Sequence, residues 1–138
     1  MKTMNEKHPA DWHDLKGQSI MGITIDTRSI MGITIDTRLD ELTIHTLKFK
    51  LTCHHVQDCC ETVGLVRIEG DFLSLHGAEI LHAEDDAGAQ DPSWYKEDYD
   101  ESHTWTKLSL YTSKGDVHFW FLGQSNGYYG EDIRFYKQ

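Results

Sequence analysis

The residues with the most evident chemical potential lie in one segment, Cys53–Glu61, which reads Cys-His-His-Val-Gln-Asp-Cys-Cys-Glu. Its thiol, imidazole and carboxylate groups are donors that zinc accepts in tetrahedral sites. If the segment is helical, His55 and Cys59 lie on one face with Asp58 beside them; if it is extended, Cys59 and its neighbour Cys60 point to opposite sides. His55, Asp58 and Cys59 are therefore the candidate metal ligands. The alternative is that a cysteine packs in the core while the carboxylates cap a turn.

The same segment could instead carry thiol chemistry, with Cys59 or Cys60 as nucleophile and a nearby histidine as base. The neighbouring acidic residues disfavour a thiolate and so argue against this interpretation. A metal-binding or thiol-based small enzyme using the cluster from His54 to Glu61 therefore remains the alternative to a non-enzymatic binding protein. The sequence contains no recognised catalytic set. This favours the non-enzymatic binding protein and leaves enzymatic activity open.

A second candidate site is the glycine-rich turn at 123–130. Asn126 and Gly127 form a strong hairpin signal, and Tyr128 and Tyr129 supply the aromatic side chains that dominate protein interfaces. Asn126, Tyr128 and Tyr129 are therefore candidate partner-binding residues. The alternative is that one tyrosine caps the core and the glycines only permit the turn.

The charge balance limits the classes of partner. The formal net charge is −10, which disfavours binding to nucleic acid phosphates and to anionic membranes. Residues 84–103 are predicted to form a long acidic loop. The partners compatible with this charge are basic protein surfaces, metal ions or neutral ligands, and the alternative is that the charge only keeps the protein soluble. The odd count of three cysteines, with no signal peptide and no apolar stretch of membrane-spanning length, predicts a cytoplasmic protein.

A ten-residue segment is repeated in tandem without change: residues 19–28 and 29–38 both read Ser-Ile-Met-Gly-Ile-Thr-Ile-Asp-Thr-Arg. The alternation of apolar and polar residues predicts a half-buried strand. We expect the second copy to fill that strand because it leads directly into the strand at Leu42. The first copy would then be an added edge strand or an irregular extension, and a homodimer could form by strand addition at this edge or by exchange of the two copies.

The fold expected from these patterns is a β-rich α+β domain. It comprises a curled antiparallel sheet of five to seven strands and one short helix at residues 71–76. This single domain spans 17–138 and follows a flexible N-terminal arm, 1–16, in which Trp12 docks through a helical turn. The predicted core consists of Phe49, Leu51, Ile80, Leu108, Leu110, Val117, Phe119, Phe121, Ile133 and Phe135.

Three blocks of sequence also resemble a known family: residues 55–61, residues 70–84, and residues 102–106 together with 123–129. In this order they are similar to an uncharacterised family of small proteins and domains found largely in bacteriophage genomes. The resemblance implies a phage-related source and action in a bacterial cytosol, and it brings no catalytic residues. The expected function is that of a non-enzymatic accessory protein that binds a host or phage protein through an acidic and aromatic surface. No cofactor is expected, although zinc is compatible with the cysteine and histidine cluster.

Overall fold

The computed structural model describes residues 7–29, 38–56, 61–95, 102–125, 127 and 129–138. Over these residues the chain is almost entirely β-structure, as the alternating pattern predicts. The strands are β1 (His8–Pro9), β2 (Ile20–Ser29), β3 (Arg38–Thr46), β4 (Lys50–His54), β5 (Thr62–Glu69), β6 (Ile80–Ala89), β7 (Ser102–Thr112), β8 (Gly115–Ser125) and β9 (Arg134–Lys137).

The strands form two antiparallel sheets. One has the order β2-β3-β4-β9-β1 and the other the order β5-β8-β7-β6. They are linked by one parallel pairing of Leu39 with Val63 and by a bridge between Ser19 and Glu79. The prediction of an antiparallel, β-rich domain is confirmed. The sequence analysis predicts a single sheet of five to seven strands, whereas the described residues form nine strands divided between a sheet of five and a sheet of four.

Helical structure in the described part of the chain is limited to two 3-10 helices, Trp12–Leu15 and Phe72–Ser74. The second lies where a helix over 71–76 is predicted, but it has only three residues, and the Asp71 side chain makes no capping hydrogen bond. Gly77 has φ +82° and ends this segment. Neither helix is long and apolar enough to cross a membrane.

The first 3-10 helix is part of the core. Asp11 and Asp14 form a capping box at its start, and the side chains of Trp12 and Leu15 are fully buried. The Trp12 indole Nε1 donates to the Ser109 carbonyl at 3.0 Å. The predicted docking of Trp12 is therefore observed, and the packed domain includes residues that the sequence analysis places in a flexible arm over 1–16.

The core lies between the inner faces of the two sheets. Of the ten predicted core residues, seven are buried to within 1% exposure, whereas Phe49, Ile133 and Phe135 pack against the core and remain partly exposed. The sequence analysis leaves out several fully buried residues, among them Leu15, Ile20, Leu42 and Ile44. These come from the N-terminal 3-10 helix and the β2–β3 hairpin, where the repeat obscures the pattern.

The first copy of the repeat, not the second, forms the strand. Ile23 and Ile25 lie opposite Ile44 and Leu42, and the ladder continues to the pairing of Ser29 with Arg38. Residues 30–37 of the second copy lie outside the described residues. The expectation that the second copy fills this strand is therefore wrong for this arrangement.

Two features favour the first copy. The chain just before it is fixed by two backbone hydrogen bonds of 2.8 Å, from the Gly17 N–H to the Ile80 carbonyl and from the Ile80 N–H to the Gln18 carbonyl. Placing the second copy in the strand would also leave only Arg38 and Leu39 to make the hairpin turn. Neither residue type favours the positive φ angles of a two-residue turn.

Three histidines on the strands predict how stability depends on pH. Burial is the main cause that lowers the pKa values of His45, His54 and His118. The unfolded chain therefore binds more protons than the folded one below about pH 6.5, the ordinary histidine value. Stability should fall between pH 7.5 and 5.5, and thermal unfolding should show a lower midpoint at the acidic end.

Single substitutions test whether these histidines cause the pH dependence of stability. His54→Gln should make the midpoint less dependent on pH, because it removes one of the three histidines whose pKa burial lowers. A midpoint that stays constant or rises on acidification would contradict the assignment.

Candidate functional site

His55, the first predicted metal ligand, is already fully hydrogen-bonded. It is 9% exposed, its Nδ1 lies 2.6 Å from the Asp132 carbonyl oxygen, and its Nε2 lies 2.8 Å from Glu61 Oε2. Because a carbonyl only accepts, Nδ1 carries a proton, and Nε2 is engaged by the Glu61 carboxylate. In this arrangement neither ring nitrogen offers a lone pair to a metal, and the pair fixes the end of β4 to the approach of β9.

The rest of the predicted metal and thiol site cannot be placed, because Asp58, Cys59 and Cys60 lie outside the described residues. Zinc binding there stays a prediction. Among the residues that the structure does describe, no three His, Cys, Asp or Glu side chains form a metal-binding group. Cys53 is a free thiol packed in the core, and burial raises its pKa well above the ordinary value, which makes it a poor nucleophile.

The turn after β8 is held by a buried carboxylate. Glu131 Oε2 accepts hydrogen bonds from Ser125 and, at 2.9 Å, from Ser102. Gly123 permits this close approach, since a Cβ there would lie 2.6 Å from the Glu131 Cβ. Of the predicted partner-binding residues, Tyr129 is half-buried, while Asn126 and Tyr128 lie outside the described residues.

A cluster of aromatic side chains covers the outer face of the four-stranded sheet. Trp105 on β7 and Trp120 on β8 point away from the core, and residues 90–95 fold back over them. The rings of Trp94 and Tyr95 meet Trp105 edge-on, with centroids 5.4 and 5.0 Å from its own. We call Trp94, Tyr95, Trp105 and Trp120 the outer aromatic cluster. It buries Trp105 to 1% and Trp120 to 7% exposure.

A cleft of about 330 Å³ adjoins this cluster. The end of β6 and the following residues, 88–91, form one side, and the start of β7, 103–105, forms the other. Asp91 Oδ1 lies 2.8 Å from His103 Nε2 across the cleft, and Trp105 forms part of the wall. The register of β6 shifts between Ala87 and Ala89, and Gly88 has φ +82°. This bulge turns the chain away from the sheet edge.

The cleft presents an exposed hydrogen-bond acceptor, Asp91, and one of its wall residues, Trp105, carries a buried donor. The Asp91 carboxylate is about half exposed and can accept further hydrogen bonds. The indole Nε1 of Trp105 is buried and has no hydrogen-bond acceptor among the described residues. Since buried donors are nearly always paired in proteins, this N–H is a candidate group for recognition of a ligand.

The outer aromatic cluster already holds two cations of the chain itself. The Arg67 guanidinium lies 4.6 Å from the ring centre of Trp94, and the Lys107 ammonium lies 5.0 Å from that of Trp120. Trp120 also donates to Glu69 at 2.5 Å. These contacts show that the cluster provides ring faces suited to positive charge.

The sequence analysis did not find this site, although signals for it exist. Trp105 shares a strand face with Lys107, and Trp120 lies directly opposite Lys107 on the neighbouring strand. An apolar residue on the outward face of a strand indicates that something covers it. The sequence analysis treated residues 84–103 as one acidic loop and so missed the segment that covers this face. The first six of these residues continue β6 to Ala89, and Trp94 packs against the sheet.

The chain belongs to an uncharacterised family. The model of the family described as Domain of unknown function (DUF7448) matches residues 13–135, a range that includes both sides of the cleft and the whole outer aromatic cluster. No curated protein and no solved structure matches the chain. The resemblance to an uncharacterised family is confirmed, while a bacteriophage source stays a prediction.

Proposed function

We propose that this is a non-enzymatic binding protein that recognises a basic segment of a partner protein, with one lysine or arginine side chain seated in the cleft between residues 88–91 and 103–105. The observation that carries the proposal is an accessible carboxylate, Asp91, on a cleft whose wall includes Trp105, a residue whose buried indole N–H has no acceptor among the described residues.

Charge supports a cationic ligand. Glu84 and Asp86 are exposed on β6, on the approach to the cleft, and the net charge of the chain is −10. Such a field raises the association rate of a basic partner and disfavours an acidic one.

The buried Trp105 donor, which has no acceptor in the described part of the chain, supports a peptide as the source of the cation. A positively charged side chain can satisfy Asp91, but only an acceptor can satisfy the Trp105 indole. The backbone of a partner segment supplies carbonyl acceptors beside its side chains. The cleft volume is at the low end for ligand pockets, which suits a single side chain, and the acidic residues along β6 provide surface for its neighbours.

The remaining predictions about context belong to the same proposal. Asn126, Tyr128 and Tyr129 stay candidate contacts for the partner, which we propose to be a host or phage protein in a bacterial cytosol, on the strength of the family resemblance alone. Homodimerisation through the repeat also stays a proposal. A dimer that depends on the extra ten residues should become a monomer when one copy is deleted.

Titration with short capped peptides tests the proposed ligand. Peptides of the form acetyl-Gly-X-Gly-amide, with X as Arg, Lys, Gln or Glu, should bind in the order Arg and Lys, then Gln, then Glu. We expect at least about fivefold weaker binding when the positive charge is absent, as for charge-assisted hydrogen bonds. The difference should shrink at high salt, since Asp91 is accessible to screening ions.

A pair of matched variants locates the binding. Asp91→Asn should reduce Arg-peptide affinity by at least about fivefold, whereas Asp71→Asn, an exposed carboxylate at the opposite end of the sheet, should not change it. Equal binding of the Gln and Arg peptides, or equal loss in both variants, would reject the cleft as a cation site.

A further inference from the structure

We infer that the two copies of the repeat are interchangeable, so that the chain has two folded arrangements in which residues 19–28 or residues 29–38 supply β2. The strand site recognises the side chains of the ten-residue segment and its backbone, and the two copies are identical in both. Every pairing that the first copy makes from Ile20 to Thr27 can therefore be made by the second copy.

The register of the hairpin permits this exchange. Ile25 pairs with Leu42, Asp26 with Glu41 and Thr27 with Asp40. If each residue of the first copy is replaced in the strand by the residue ten positions later, Thr37 takes the place of Thr27 opposite Asp40. Arg38 and Leu39 then remain as a two-residue connection, a common hairpin length, although neither residue type favours the positive φ angles of such a turn.

The start of the strand permits it as well. In the described arrangement Ile20 is fully buried; its N–H donates to the Ala78 carbonyl at 2.8 Å and its carbonyl accepts from Gly77 at 2.7 Å. Ile30 carries the same groups and would take the same place. Residues 19–28 would then form a closed loop between Gln18 and Ser29 at the edge of the sheet.

The balance between the arrangements follows from a few differences. The described arrangement connects its strands through 30–37, and the other would add a ten-residue loop, so loop-closure entropy hardly separates them. The described arrangement keeps the last two pairs of the ladder and the pairing of Leu39 with Val63. It should therefore be the major form, with the second arrangement available when the first is disabled.

Disabling one copy at a time tests the inference. A charge at the fully buried position of Ile20 disrupts any strand that contains it. Ile20→Asp should nevertheless lower the melting temperature of the full chain by only a few degrees, because the second copy takes its place. Ile30→Asp should change it little, and the double variant should unfold or melt at least about 10 °C lower.

A shortened chain with a single copy of the repeat can adopt only one arrangement and serves as the reference. Deleting residues 19–28 or residues 29–38 leaves the same polypeptide, which should fold, since Arg28 and Leu39 then close the hairpin. In that protein Ile20→Asp should be as damaging as the double variant is in the full chain. As a matched control outside the repeat, the fully buried Ile44→Asp should be equally damaging in both chains.

Hydrogen exchange read by mass spectrometry adds a direct measure, because Ile20→Asp also gives the two copies different masses. In this variant, amide protection should leave residues 19–28 and appear in residues 29–38. If the full chain loses as much stability from Ile20→Asp as the shortened chain does, or if protection stays with the first copy, the copies do not exchange and the inference is wrong.

Discussion

Replacement of Trp12 by alanine is expected to lower the free energy of unfolding by about 3–5 kcal/mol, the range for truncation of a large buried aromatic residue. Trp12 is fully buried, its ring lies 6.1 Å from that of Phe135, and its indole donates to the Ser109 carbonyl. The side chain thus contacts β9 of one sheet and β7 of the other, and its loss leaves a cavity between them.

Two further variants separate the causes. Trp12→Phe keeps most of the packing and loses the hydrogen bond, so we expect a smaller cost, about 1–2 kcal/mol. Leu73→Ala removes a side chain that is 79% exposed and should change stability by no more than about 0.5 kcal/mol. Chemical denaturation measures all three. A Trp12→Ala cost below about 1 kcal/mol would mean that the N-terminal 3-10 helix is not part of the cooperative core.

Gly70→Ala is expected to be comparably damaging, at about 3 kcal/mol or more. Gly70 has φ +109°, and a Cβ there would collide with the Asp116 carbonyl oxygen and lie 3.1 Å from the Val117 Cα. The positive φ angle costs an alanine about 1–3 kcal/mol as backbone strain. The collision adds about 1–3 kcal/mol, because the atoms that the Cβ meets belong to the backbone and cannot move aside as a flexible side chain can.

Gly17→Ala is the matched control for the backbone term. Gly17 also has a positive φ, +85°, but no atom lies within 4 Å of a Cβ added there. Its substitution should cost the strain alone, about 1–3 kcal/mol. If Gly17→Ala and Gly70→Ala destabilise the protein equally in denaturant unfolding, the tight contact between the end of β5 and the start of β8 does not contribute.

The sheet structure was largely predictable because strand alternation is local. The hairpin of β7 and β8, for example, joins two strands whose alternating residues follow one another directly in sequence, with Thr112 opposite Gly115. The division into two sheets was not predictable, since it depends on contacts such as Leu39 with Val63, which lie far apart in sequence. The use of the first copy rather than the second was also beyond local pattern, because identical residues give identical local preferences.

The candidate site was less predictable than the fold. The sequence analysis selected residues by chemical type, and His55 did prove to be in a specific polar environment, as the partner of Glu61 and Asp132. The cleft at Asp91 arises differently, since it requires residues 90–95 to fold over the outer face of a sheet. Only the tertiary structure brings Trp94 against Trp105 and places Asp91 beside His103.

The indole N–H signal of Trp105 offers the most direct test of the central claim that the cleft binds a basic peptide. The chain has four tryptophans, so a nitrogen-15 correlation spectrum should show four indole signals, assigned by single Trp→Phe variants. On titration with acetyl-Gly-Arg-Gly-amide the Trp105 signal should move downfield as its N–H gains an acceptor, while the signal of the core residue Trp12 stays in place. A Trp105 signal that does not move at saturating peptide would contradict the proposed function.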